Sequence, residues 1–208
     1  MDDLVEQALA RWPNVPAIAG WLKLTSQGQW LLTGPVPEGL TIGNARILNF
    51  IARNYACEPD GRYYFQNGPQ KAYVDLEYTP WVYHLHGLEG QGLLLWSHTG
   101  LLCWPDALYQ DEQGRVLIHT QLGIGLLHSA DVSILVEQVT EVGGVLNHRA
   151  RWCVPEVDPH TLLDTRIRLR KDKRLPTGAR DLALTVQMLE SSMVALQFRF
   201  QPNPKTDA

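Results

Sequence analysis

An acidic turn that closes on Gly-Arg occurs twice in this chain, 53 residues apart, and each time a short apolar run follows it. Glu58-Pro59-Asp60-Gly61-Arg62 leads into Tyr63-Tyr64-Phe65, and Asp111-Glu112-Gln113-Gly114-Arg115 leads into Val116-Leu117-Ile118. Pro and Asp pre-set turn dihedrals and Gly supplies positive φ, while aromatic and β-branched residues suit a pleated, half-buried surface. Each copy therefore predicts a turn and then a strand. The register continues for some 26 residues, through Asn67-Gly68-Pro69, Ala72–Glu77 and Trp81–His86 on one side and Asp131–Val139 on the other. Two copies of one strand-turn-strand motif are expected, with Gly61–His86 equivalent to Gly114–Val139.

Around this pair the hydrophobic period changes along the chain. Leu4, Val5, Ala8, Leu9 and Trp12 recur at helical spacing until Pro13 ends the pattern. Trp21–Leu24 and Trp30–Leu32 flank Ser26-Gln27-Gly28-Gln29 as a hairpin, and a helix is predicted from Asn44, its N-cap, through Ile47, Leu48 and Ile51. Farther on, Leu182–Leu189 and Met193–Phe200 read as a hairpin, although the first of them also suits a helix. The expectation is an α+β, strand-rich fold with a few helices. Its parts are an N-terminal helix (1–19), two repeated motifs (20–140, dividing at about 88/89), a C-terminal β-rich segment (141–201) and a frayed tail (202–208).

The order QGQWLLTG, ARILNFIARNY, PDGRYYFQNGPQKAYVDLEYTPWVY, LLLWSHTG and a second Gly-Arg strand resembles that of uncharacterised bacterial domain-of-unknown-function proteins built from two repeated mixed α/β motifs. The resemblance spans residues 20–139. It implies the fold and a regulatory or signalling role, and it carries over no catalytic residue.

Composition narrows the function classes. A chain of 208 residues, 45% hydrophobic and 19% charged, can bury an ordinary core and is not disordered. Its net charge of −4 opposes general attraction to nucleic acid, but nine basic against four acidic side chains between residues 149 and 180 make +5 there and leave −9 elsewhere. Cys57, Cys103 and Cys153 match neither a disulfide framework nor zinc spacing, so free thiols, at least two of them buried, are expected. The acidic start Met-Asp-Asp-Leu-Val-Glu and the lack of a 20-residue apolar run predict a cytoplasmic protein without a membrane span.

The chemical signals are few. His84 and His86 lie two apart on a predicted strand and so share a face, as two metal ligands would; His98, His119 or Asp75 would have to join them by folding. No HExxH or CxxC accompanies them, and surface histidines are the plainer reading. Gly123-Ile124-Gly125-Leu126-Leu127-His128 follows a strand as a dinucleotide loop does, but His128 stands where the third glycine should. A glycine-adapted turn is expected instead. The phosphate-binding GxxxxGK and the nucleophile elbow GxSxG are both absent. Trp21, Trp30, Trp81, Trp96, Trp104 and Trp152 read as core.

Two segments remain as binding candidates. One is the polar turn carrying Gln66, Asn67, Gln70 and Lys71; the other is the alternating stripe Arg166, Arg168, Arg170, extended by Lys171, Lys173 and Arg174. The stripe is read first as a solvated edge strand and second as a polyanion site. The leading expectation is a non-enzymatic binding or regulatory module for a protein or small ligand, without a cofactor and with nucleic acid disfavoured. Self-association is left open. Polyanion binding and a metal-dependent enzyme using His84 and His86 are the alternatives.

Overall fold

A computed structural model of the chain describes residues 1–34, 39–88, 92–142, 144–155 and 177–206. The fold is α+β and rich in strands, as expected, and divides into two compact units, Met1–Pro80 with Ala195–Ala208, and Trp81–Val194.

The first unit starts with helix α1 (Asp3–Arg11), which buries Val5. Strands β1 (Ile18–Leu24) and β2 (Trp30–Leu32) form the expected hairpin, and β3 (Leu40–Thr41) pairs with β2. Helix α2 (Ala45–Arg53) begins at Asn44, whose side chain accepts from the backbone N–H groups of Arg46 and Ile47. Strands β4 (Tyr55–Cys57), β5 (Tyr63–Asn67) and β6 (Gln70–Leu76) form an antiparallel meander, and β6 runs parallel to β1. The sheet order is β3-β2-β1-β6-β5-β4. Leu22, Leu24, Trp30, Ile51, Tyr73, Val74 and Leu76 are buried in this unit.

The second unit repeats that order. Strands β7 (Trp81–Leu88), β8 (Gly92–Ser97), β9 (Leu102–Cys103), β10 (Pro105–Gln110), β11 (Val116–Thr120) and β12 (Gly123–Leu127) run β9-β8-β7-β12-β11-β10. The sense of every pairing matches as well: β7 and β12 are parallel, the rest antiparallel. The two acidic turns agree in detail. Glu58 N–H donates to Arg62 O and Asp111 N–H to Arg115 O, while Gly61 and Gly114 adopt φ of 88° and 77°.

The predicted equivalence fails beyond the second strand. Trp81–His86 is strand β7, whereas in the second copy a 3₁₀ turn (Ser129–Asp131) leads into helix α3 (Val132–Val136), and the matching residues 134–139 hold the end of that helix and the first residue of β13 (Val139–Val142). The physical reason is local: Val132, Leu135 and Val136 fall at helical spacing with Leu135 buried, and the His128 side chain caps the turn by accepting from Ala130 N–H.

Strands β14 (Val145–Pro155) and β15 (Thr177–Met188) complete the second unit. β15 runs parallel to β10, and β14 meets β8 at Trp152 and Leu93, so β14-β15-β10-β11-β12-β7-β8 close into a seven-stranded barrel. Glycine permits that closure. At Gly92 (φ 114°) a Cβ would lie 2.3 Å from Arg151 O. Leu182–Met188 is strand, but Met193–Phe200 is no partner for it: Ser191–Met193 is a 3₁₀ turn and helix α4 (Val194–Gln197) follows. Residues 201–205 are held rather than frayed, with Leu76 N–H donating to Pro202 O and Gln201 N–H to Gly61 O.

Among the described residues no helix is long and apolar enough to cross a membrane. Cys103 is buried, which raises its thiol pKa well above the ordinary value, while Cys57 is exposed. Both are free; the Cys153 side chain lies outside the description.

Candidate functional site

Alternation along β14 places His148 and Trp152 on one face, in register with Leu184 and Arg180 of β15 and, at Trp152, with Leu93 of β8, and the complete burial of both side chains puts that face toward the barrel interior. Both side chains are fully buried, with ring centroids 5.4 Å apart. Neither ring nitrogen of His148 and not the indole Nε1 of Trp152 has a hydrogen-bond partner among the described residues. Burial pushes the His148 pKa down to about 4, so at neutral pH the ring carries one donor and one acceptor. Tyr83 and Ser97, on the neighbouring strands β7 and β8, are hydrogen-bonded. Tyr83 donates its hydroxyl to Gly123 O at 2.8 Å and lies 2.8 Å from Thr120 Oγ1, and Ser97 Oγ is 2.7 Å from Thr99 Oγ1. The Tyr83 ring occupies the space over Gly125, where a Cβ would approach it to 2.3 Å. That contact accounts for the glycine that resembled part of a dinucleotide loop.

A second cluster forms on the opposite face of β7. His84 Nδ1–H donates to Asp131 Oδ2 at 3.2 Å, and the His128 ring lies 4.7 Å from that of His84. His128 is positioned because its backbone N–H donates to Tyr83 O, extending the parallel β7–β12 ladder; Asp131 follows because its N–H donates to His128 O. The Asp131 carboxylate also accepts from Leu85 N–H at 3.3 Å. Trp96, opposite His84 on β8, stacks against it at 5.9 Å. Burial, reinforced by His128 and opposed by Asp131, lowers the His84 pKa. One potential ligand atom from each of His84, His128 and Asp131 lies within 4.8 Å of the others.

A family model described as a protein of unknown function (DUF2946) matches residues 1–205. The chain belongs to this DUF2944/DUF2946 family. No curated protein matches it. A crystal structure of a DUF1285 family protein from Silicibacter pomeroyi DSS-3 is similar, with 16% sequence identity, 71% of this chain and 90% of that chain covered, and a TM-score of 0.48.

In this DUF2946 protein the sequence-predicted site residues are scattered. Gln66 is 1% exposed and donates through Nε2 to Gly68 O, while Asn67 and Gln70 pair across the β5–β6 turn. Lys71 forms an ion pair with Glu58 and sits 4.6 Å from the Tyr64 ring centre. Burial works against the Lys71 charge, but the bond to Glu58 outweighs it and raises the pKa. Arg166, Arg168 and Arg170, with Lys171, Lys173 and Arg174, lie outside the described residues. His86 shares a face with His84 and approaches Trp96, yet the atoms gathered around His84 come from His128 and Asp131. His119 is bound to Asp106 at 2.6 Å, and His98 is fully buried with its pKa near 3. Of the tryptophans read as core, Trp30, Trp81 and Trp152 are buried, whereas Trp21 is 44% exposed.

Proposed function

We propose that this DUF2946 protein is a small-ligand binding module acting in the cytoplasm, with its ligand held by His148 and Trp152 inside the barrel. The observation that carries this reading is three buried ring nitrogens lacking a partner among the described residues. Buried polar atoms in native proteins are nearly always hydrogen-bonded, and leaving one unsatisfied costs about 1–3 kcal/mol. A ligand that accepts from the indole and imidazole N–H groups and donates to the other imidazole nitrogen removes that cost. An uncharged molecule with an amide-like edge has this complement, and the aliphatic side chains of Leu93 and Leu184 suit its apolar remainder. The cytoplasmic placement is supported by the exposed free thiol of Cys57, which suits a reducing compartment.

The test is native mass spectrometry of untagged protein together with a small-molecule screen read by tryptophan fluorescence. A bound or screened ligand lost on His148→Leu supports the module. An experimental structure of the ligand-free protein in which ordered waters satisfy all three nitrogens, with no ligand found, overturns it.

A further inference from the structure

We propose that His84, His128 and Asp131 form a site for one divalent transition-metal ion of the zinc class, with a coordination position left open. The site is separate from the His148–Trp152 pair, since His84 and Tyr83 are successive on β7 and their side chains point to opposite faces of the barrel wall.

The donor set fits the chemistry. Two imidazoles, which are borderline nitrogen ligands, outnumber the one hard carboxylate, so the set suits zinc and its neighbours rather than magnesium or calcium, which take oxygen alone. Bonds of about 2.0–2.1 Å at a tetrahedral centre hold ligand atoms about 3.4 Å apart. His84 Nδ1 and Asp131 Oδ2 are already 3.2 Å apart, and all three ligand atoms fall within 4.8 Å. The remaining closure is within reach of side-chain rotation. Two contacts must yield: the His84–Asp131 hydrogen bond, replaced by bonds to the ion, and the 3.3 Å bond from Ala130 N–H to His128 Nδ1 if that atom ligates.

The scaffold holds the residues more firmly than their sequence spacing suggests. His84 is mid-strand and stacked on Trp96, and His128 is tied to Tyr83 through the backbone. Asp131 Oδ2, the oxygen nearest His84 Nδ1, is itself held in place by the Leu85 N–H that donates to it. Each ligand is half-buried, so an ion has a path from solvent and a partly dry surrounding. Three protein ligands leave the fourth position to water or a bound group, the arrangement of open rather than closed zinc sites.

The test uses untagged full-length chain stripped with chelator and titrated with Zn²⁺ and with Co²⁺. One equivalent of either is expected, with ligand-field absorption of four- or five-coordinate Co²⁺ and a change in Trp96 emission that Trp96→Phe removes. His84→Ala and Asp131→Asn, each checked for native circular dichroism, weaken binding at least tenfold, while His86→Ala and Cys57→Ser leave it unchanged. Binding that survives His84→Ala with Asp131→Asn, binding lost in Cys57→Ser, or equal loss in His86→Ala overturns the site. So does the absence of uptake by the wild-type chain. His148→Leu keeps the metal, which separates this outcome from failure of the ligand-module reading.

Discussion

A buried imidazole with neither nitrogen partnered among the described residues is a destabilising choice for a barrel wall, and it makes two measurable statements about His148. Replacing His148 by Leu removes the unsatisfied atoms along with the ring, so the ligand-free protein gains about 1–3 kcal/mol in urea unfolding, read as an upward shift of the midpoint. The pH dependence follows from the lowered pKa. Above pH 6.5 the ring is neutral in both states; between 6.5 and about 4 the unfolded chain takes up a proton that the folded chain refuses. Stability therefore declines as pH falls through this window, by up to about 1.4 kcal/mol per pH unit from this group, and the loss stops growing below pH 4. Unfolding curves at stepped pH should show a shallower slope in His148→Leu; parallel slopes would refute the assignment. Gly125 fails in the opposite direction. A Cβ there meets the Tyr83 ring at 2.3 Å, so Gly125→Ala overpacks the barrel and costs about 1–3 kcal/mol, while Tyr83→Leu in the same chain recovers part of it.

At the scale of elements, the two acidic turns share a backbone and differ in how their carboxylates are used. Asp111 is 1% exposed and accepts from Gln113 N–H, Arg115 N–H and Arg115 Nε–H, the last at 2.6 Å. Asp60 accepts from Arg62 N–H and Nε–H, but its side chain is 46% exposed. Asp111→Ala should therefore lower the thermal midpoint by the equivalent of about 2–4 kcal/mol, and Asp60→Ala by less than about 1 kcal/mol; equal effects would contradict this difference in burial. These turns were legible in the sequence because turn chemistry is local, as were the Asn44 cap of α2 and the β1–β2 hairpin. Helix α3 was missed because a strand was carried across from the first copy, although Val132, Leu135 and Val136 already stood at helical spacing. The metal cluster was half-read: His84 was visible, but Asp131 is 47 residues away and reaches it through the parallel pairing of β12 with β7. Periodicity within a segment reports which face is buried, not which distant strand lies beside it. His128 was noticed only as a missing glycine.

For the whole molecule, the chain order matters more than either sheet alone. The first unit is built from both ends of the sequence, with the second inserted between Pro80 and Ala195. The returning segment is integral to the first unit: Phe200 is 6% exposed, Pro202 O accepts from Leu76 N–H, and Arg62 Nη1 donates to Lys205 O. Gly61 serves this return as well as its own turn, because a Cβ there would lie 2.2 Å from Arg199 O. Ending the chain after Gln197 removes a buried aromatic, worth about 3–5 kcal/mol when lost from a core, and leaves Leu76 N–H without its acceptor. The sum is comparable with the about 5–15 kcal/mol that holds an ordinary domain together. The truncated chain should then lose the unfolding transition of the first unit while retaining that of the barrel, whose strands all lie between residues 81 and 188. Hydrogen exchange followed by peptide mass spectrometry distinguishes the two: protection should vanish over β1, β5 and β6 and persist over β7, β11 and β12. Persistent protection in β6 after truncation would show that the C-terminal segment is dispensable; equal loss in both sets would show that the units unfold as one.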